Sequence, residues 1–188
     1  SIKGMQNVFS TIVIGAGAAG LMAAISAKRK GQSVLLCEKM PSPGKKLLAT
    51  GSGRCNLLND DLSDHYYNTA ARPLVRMAFS RFGKSSIMGF FKELGLETYS
   101  DNGRIFPVTN QASSVLRVLE LELARLGVPV ETGFEASAIA VSENGFTVVS
   151  KNKKRFVSKS LILALGGKSY PALGSDGSGY KFAKQFGH

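Results

Sequence analysis

TIVIGAGAAGLMAAISAKRK, Thr11 to Lys30, is the stretch that decides the fold. Its first seventeen residues carry no charge, so a membrane segment, a secretory signal and a ligand-handling turn all compete for it. A membrane helix needs about twenty uninterrupted apolar residues, and Gly15, Gly17 and Gly20 dilute this run. Lys3 and the small residues of AISA imitate a signal peptide only loosely. The stretch instead divides into two periods. VFSTIVI, residues 8–14, is a short β-branched run typical of a buried strand. AAGLMAAISAKRKG, residues 18–31, reads as an Ala-rich helix with Lys28, Arg29 and Lys30 in its last turn and Gly31 as its stop. GAGAAG lies between them.

Strand, glycine turn and helix are followed by a second strand, SVLLCE, that ends in an acid. In that order GxGxxG points to a dinucleotide. Gly15 permits the tight turn, Gly17 lets the backbone approach a pyrophosphate, and Gly20 lets the helix pack on the strand. Free amides and the helix dipole favour the negative charge. Glu38, twenty-three residues after Gly15, is placed to accept hydrogen bonds from a ribose and would repel a 2′-phosphate. The motif alone does not separate NAD from FAD.

The remaining composition limits the alternatives. The chain has 188 residues, 44% of them hydrophobic, enough for one domain with a core. Cys37 and Cys55 stand in no CxxC arrangement, and with two histidines no structural zinc site is expected. That usage suits a reducing cytoplasm. The net charge of +11 invites a nucleic-acid reading. The excess is spread out, however: thirteen basic and six acidic residues in 1–100, eleven and seven in 101–188. The one dense run, KNKKR at 151–155, falls where a hairpin tip is expected, and no aromatic RNA-binding signature accompanies it. Neither nucleic acid nor membrane is therefore expected as a partner.

Downstream, Pro73 suits the first turn of a helix ending near Gly83, and SSIMGFFKELG reads as a second helix. ASSVLRVLELELARLG carries a clean apolar helical face closed by Gly127. VPVET reads as a third parallel strand, and the segment after it as a β-meander turning at Asn144-Gly145. SLILAL is apolar enough to re-enter the parallel sheet. The expected fold class is therefore α/β: a Rossmann-like parallel sheet with the third strand, a β-meander crossover and the returning strand over 128–170, and a helical excursion over 72–127.

After Glu38, Lys45, Lys46 and Arg54 place positive charge around TGSG, where exposed amides could line an anion's path. Cys55 follows directly. On composition alone it is either a favoured thiolate at a helix start or a buried, inert thiol in a basic loop.

GKKLLATGSGRCNLLN (Gly44–Asn59), GRIFPVTNQASSV (Gly103–Val115) and LILALGGKSYPALGSDGSGY (Leu161–Tyr180), joined to GAGAAG, resemble the aminoacetone-oxidase-like, BaiN-type family of FAD-binding flavoproteins. The resemblance covers almost the whole chain and implies a glutathione-reductase-type FAD domain. It implies that Gly15, Ala16 and Gly17, with the amides of Ala18 and Ala19, face the pyrophosphate, and that Gly20 packs the helix. By the same resemblance Glu38 holds the adenosine ribose with Lys39 beside it, while Lys46, Gly53, Arg54, Cys55 and Asn56 run along the diphosphate. Ala136 meets the adenine through its backbone, and Ala164 and Gly166 close over the cofactor. Three departures stand out: Leu58 and Leu165 replace threonines, and GSDGSGY replaces GSTGDGY, which moves the acid to Asp176 and leaves Ser178 in its former place.

Family members run roughly twice this length and carry an inserted second domain. The chain therefore resembles their N-terminal portion, with residues 1–4 reading as an expression scar. The implied function is an FAD-dependent oxidoreductase acting on a small molecule, with NAD(P)H as an electron donor in some members. An NAD-dependent dehydrogenase and a non-catalytic nucleotide-binding fragment are the alternatives. No catalytic residue is assigned and no metal is expected.

Overall fold

A computed structural model describes residues 8–143 and 145–188. The expression-scar reading and Asn144 of the meander turn lie outside the described residues. The chain divides into two compact units, one formed by residues up to Leu47 together with Leu119–His188, the other by Leu48–Val118.

In the first unit, β1 (Val8–Ile14) runs into α1 (Ala18–Arg29) and then β2 (Val34–Cys37). A single-turn helix, α2 (Lys45–Leu48), comes next in sequence. The β-branched run of β1 is buried from Thr11 to Ile14, as a central strand covered on both faces requires. α1 buries Gly20, Leu21, Ala24 and Ile25, an i, i+1, i+4, i+5 stripe, and packs on β1, β2 and the last strand of the sheet. A two-residue strand, β6 (Val130–Glu131), adds parallel to β2. The antiparallel meander β7 (Ala136–Ser142), β8 (Gly145–Ser150) and β9 (Arg155–Leu163) then brings β9 alongside β1 in parallel. The six-stranded order is β6-β2-β1-β9-β8-β7. Residues 151–154 form the tip between β8 and β9, where the basic run was expected.

Phe9, Ile12, Ile14, Leu35, Cys37, Phe134, Ile139, Val148 and Phe182 form one core cluster. Phe182 comes from the closing helix α6 (Ser178–Gln185). Glu122, 4% exposed, accepts from Arg29 Nε at 2.8 Å and from Arg125 Nε at 2.7 Å, which ties the end of α1 to the later half of α5 (Ala112–Arg125).

The second unit holds more than helices. α3 (Arg72–Arg81) and α4 (Lys84–Glu93) match the two expected helices, with Pro in the first turn of α3. Beside them in sequence lies a three-stranded antiparallel sheet, β3-β5-β4, made of Leu58–Asn59, Arg104–Pro107 and Thr98–Asp101. β4 and β5 join through Asn102 and Gly103, both at positive φ (49° and 80°), as a tight two-residue hairpin loop demands. Leu58, one of the departures from the family pattern, is 9% exposed and pairs with Ile105. A leucine there extends the apolar side of this small sheet.

Candidate functional site

In an open parallel sheet, ligands gather outside the carboxyl ends of the strands, where the strand order reverses direction. Here that point lies between β1 and β9. β1 leads outward through β2 to β6, and the chain returns on the opposite side as β9. The expected glycine turn leaves β1 at this point.

Gly15 has φ +101°, and a Cβ on it would come within 2.4 Å of the Ala164 carbonyl oxygen. The Ala164 amide in turn donates to the Ile14 carbonyl at 2.8 Å. Gly20 meets the Gly15 carbonyl so closely that its Cβ would lie 1.7 Å from that oxygen. Both glycines are needed by the protein's own packing. Gly17 differs: nothing lies within 4 Å of where its Cβ would be. It caps α1 without a side chain, and no acid occupies the first turn. Leu21 makes the first helical bond, to Gly17. The amides of Ala18, Ala19 and Gly20 therefore lack an intrahelical acceptor, and Ala18 and Ala19 are exposed. An open glycine beside outward-facing amides at the positive end of α1 fits a diphosphate.

Glu38 does more than await a ribose. One carboxylate oxygen accepts from the Ala16 amide at 2.7 Å, the other from the Met40 amide at 2.8 Å. The Gly15 amide donates to the Cys37 carbonyl at 2.8 Å. The amides of Gly15 and Ala16 thus serve the turn itself, and the amides beyond them remain for an anion. Each Glu38 oxygen keeps acceptor capacity for a hydroxyl. Ala136 opens β7 two residues after Phe134, whose amide donates to the Glu38 carbonyl at 2.8 Å. Ala136, the expected adenine contact, therefore lies close along the backbone to Glu38, the expected ribose contact.

Lys39 and Lys46 both meet the segment that follows β9. Lys39 pairs with Asp176 at 2.7 Å. Lys46 donates to the Ser169 hydroxyl at 2.9 Å and reaches the Ser175 hydroxyl at 3.3 Å. Lys39 beside Asp176, reinforced by the Ser178 amide, holds the Asp176 carboxyl well below the usual carboxylate range. Gly166, at φ +77°, lies under Ser175, whose hydroxyl would be 2.7 Å from a Cβ there. Leu165 packs against the core cluster, a place that favours an apolar side chain over the family's threonine. Met40, Ser169 and Ser175 were not singled out as site residues; their part depends on contacts between segments distant in sequence. Asp176 was marked only as a departure.

The remaining candidates, Gly53, Arg54, Cys55 and Asn56, belong to the second unit. Gly53 ends a 3-10 turn, Thr50–Gly53, in which Gly51 and Ser52 take left-handed φ values of 55° and 54°, and Arg54, Cys55 and Asn56 follow it. The Cys55 amide closes the turn on the Thr50 carbonyl at 3.0 Å. Arg54 lies 4.2 Å over the buried Phe106 ring. Cys55 is not at a helix start; it is 6% exposed at φ 59°. Burial pushes its thiol up, against a weaker opposing hydrogen bond with Thr50. Of the two readings of Cys55, the geometry favours the inert thiol. Among the described residues no group of His, Cys, Asp and Glu could hold a metal, and no helix is long and apolar enough to cross a membrane.

A model of the HI0933-like protein Rossmann domain matches residues 9–188. The chain is 43% identical over 178 residues to a 3-dehydro-bile acid delta(4,6)-reductase of Clostridium scindens, covering 94% of this chain and 43% of that protein. It is 32% identical over 180 residues to a ribosomal RNA dihydrouridine synthase of Escherichia coli, covering 95% and 44%. The chain thus spans less than half the length of these curated relatives. Among solved structures, the open conformation of a flavocytochrome c3 fumarate reductase superposes with a TM-score of 0.67 at 19% identity, covering 98% of this chain and 41% of that one. A 3-ketosteroid dehydrogenase from Rhodococcus jostii superposes with a TM-score of 0.65 at 14% identity, covering 90% and 48%. At those identities the structures speak to fold alone, and that fold is the expected one.

Proposed function

This chain belongs to the HI0933-like Rossmann-domain family, the FAD-binding family that its GRCN and SYP segments resemble, and we propose that it forms the dinucleotide-binding part of an FAD-dependent oxidoreductase. The observation that carries this reading is the strand-order reversal between β1 and β9. The open Gly17, the amides of the first turn of α1 and the fixed carboxylate of Glu38 follow the ends of β1 and β2 and support it.

In this reading the amides of Gly17, Ala18 and Ala19 hold the pyrophosphate, and Glu38 accepts from the adenosine ribose. The Ala136 backbone meets the adenine, while Ala164 and Gly166 border the cofactor at the end of β9. Lys39 and Lys46 supply positive charge alongside. Gly53, Arg54, Cys55 and Asn56 belong to the second unit, and the family resemblance of the GRCN segment is what supports a cofactor role for them. Bound FAD would supply the hydride chemistry, and the protein's part is to bind, orient and exclude water.

The names of the two sequence relatives share one kind of chemistry. Reducing the delta(4,6) unsaturation of a 3-dehydro-bile acid and making dihydrouridine both saturate a carbon–carbon double bond conjugated to a carbonyl. We extend that reaction class to the protein of which this chain is part, with a small conjugated enone as substrate and NAD(P)H as the reductant. Uridine within RNA is a second reading, favoured by the dihydrouridine synthase relative. The complete gene product should show flavin absorbance that bleaches on adding NAD(P)H and returns with an enone. Absence of bound flavin, with no FAD uptake on titration, would refute the proposal. Turnover on a ribosomal RNA transcript but not on the enone would select the second reading.

A further inference from the structure

The acid displaced within GSDGSGY has a distant partner. Asp176 lies 137 positions from Lys39 in sequence, yet their side chains meet at 2.7 Å. Lys39 directly follows the ribose acid. Three further seams run beside this pair. Lys46 bonds to Ser169 and Ser175, Gly174 packs so closely that its Cβ would meet Met40 Cγ at 3.3 Å, and Ser175 lies over Gly166.

Topology gives these seams a meaning. The segment 168–177 leaves from the end of β9 and fastens onto residues just past β2. β1 lies between those two strands. A segment joining their carboxyl ends therefore crosses the carboxyl end of β1, where the glycine turn begins. Positive φ values at Tyr170, Gly174 and Gly177 (59°, 98° and 82°) shape the crossing, and Tyr170 is 70% exposed on it. Only Ser175 of this segment is buried. An element with so little burial is held by its polar fastenings and opens readily.

We propose that residues 168–177 form a strap across the nucleotide crevice, latched by the Lys39–Asp176 ion pair, and that release of this latch gates entry and exit of the dinucleotide. The inference rests on the FAD reading above. While the strap is closed, Lys46 is directed to serine oxygens; opening frees it for a phosphate. A threonine at position 176, as in the family pattern that this segment resembles, could not pair with Lys39 as an anion.

The test is FAD binding to the flavin-stripped chain, followed by stopped-flow quenching of flavin fluorescence, in the wild type and in Asp176→Asn. Asparagine keeps an acceptor for the Ser178 amide, now bonded at 3.0 Å, while removing the charge. The ion pair is partly exposed, with side chains 21% and 42% accessible. Its loss should therefore speed association and dissociation together by a modest factor, about two- to fivefold, with the equilibrium constant nearly unchanged. Added salt should raise amide exchange in 168–177 of the flavin-free wild type and leave that of the variant nearly unchanged. Lys39→Met in the Asp176→Asn background should open residues 168–177 of the flavin-free chain no further, read by amide hydrogen exchange. Amide hydrogen exchange in 168–177 of the flavin-free variant should rise in parallel. Unchanged rates and exchange in Asp176→Asn overturn the latch, as does a changed affinity at constant association rate. A wild type that takes up no FAD overturns the gate together with the FAD reading, whereas exchange still reports whether the ion pair holds the strap.

Discussion

Glu38 holds the glycine turn to the end of the second strand: its two carboxylate oxygens accept from the amides of Ala16 at 2.7 Å and Met40 at 2.8 Å. Glu38 as a residue is 9% exposed, so these charge-assisted bonds form largely out of water. Glu38→Ala removes both and strands two amides, with an expected loss of about 2–4 kcal/mol of stability. Glu38→Gln keeps one acceptor and should lose about half as much. Urea denaturation of the flavin-free chain measures this apart from any ribose contact. A Glu38→Ala midpoint equal to the wild type would show that the clamp contributes nothing.

The three glycines of GAGAAG should respond differently to alanine. At Gly15 the new Cβ would meet a carbonyl oxygen at 2.4 Å under a φ of +101°, and at Gly20 at 1.7 Å. Neither neighbour is a flexible side chain, so Gly15→Ala and Gly20→Ala should cost more than about 3 kcal/mol, through overpacking and backbone strain. Gly17→Ala meets nothing within 4 Å and keeps an extended φ of −77°. It should fold with wild-type stability while its methyl group fills the proposed pyrophosphate cradle and lowers FAD affinity about tenfold or more. Thermal melts of the three variants, paired with FAD titration of Gly17→Ala, separate packing from binding.

The legibility of this chain follows the range of its contacts. β1, α1 and β2 were readable because a strand–turn–helix–strand unit is encoded within thirty-odd consecutive residues by period, glycines and a terminal acid. The meander was readable by alternation. The β3-β5-β4 sheet was not: strands of two to four residues show no period. Asn102-Gly103 was the missed signal, an Asn-Gly pair that marks a two-residue hairpin loop. The FAD-family reading came from motif resemblance. The double attachment of Glu38 and the Lys39–Asp176 pair could not be read that way, because each depends on how distant segments are brought together.

Both cysteines should be silent in the folded chain. Cys37 is fully buried and Cys55 6% exposed, and neither is in a disulfide. Burial raises both thiols, with Glu131 adding to the effect at Cys37. The thiolate is the reactive form, so a disulfide reagent at neutral pH should label neither residue in the native chain and both after denaturation. Cys55→Ser should keep its flavin and retain turnover within a few-fold in the complete enzyme. Total loss of turnover with flavin retained would assign Cys55 to the chemistry.

Acid should loosen the attachment of α1 to α5 through Glu122. Hydrogen bonding to Arg125, outweighing the opposing effect of burial and aided by Arg29, lowers its carboxyl from 4.5 to about 2. A folded-state value below the unfolded one means that the unfolded chain binds the proton more readily. The stabilisation is therefore complete above the unfolded value near 4.5 and falls away as pH drops toward 2. Because the side chain is only 3% exposed, solvent screening is slight and the contribution at neutral pH amounts to at most about 3 kcal/mol. Glu122→Gln should lose stability at pH 7 and show a flatter decline between pH 5 and 2 than the wild type. Denaturant midpoints recorded across that interval provide the measurement, and parallel curves for the two proteins would show that Glu122 is not the group responsible.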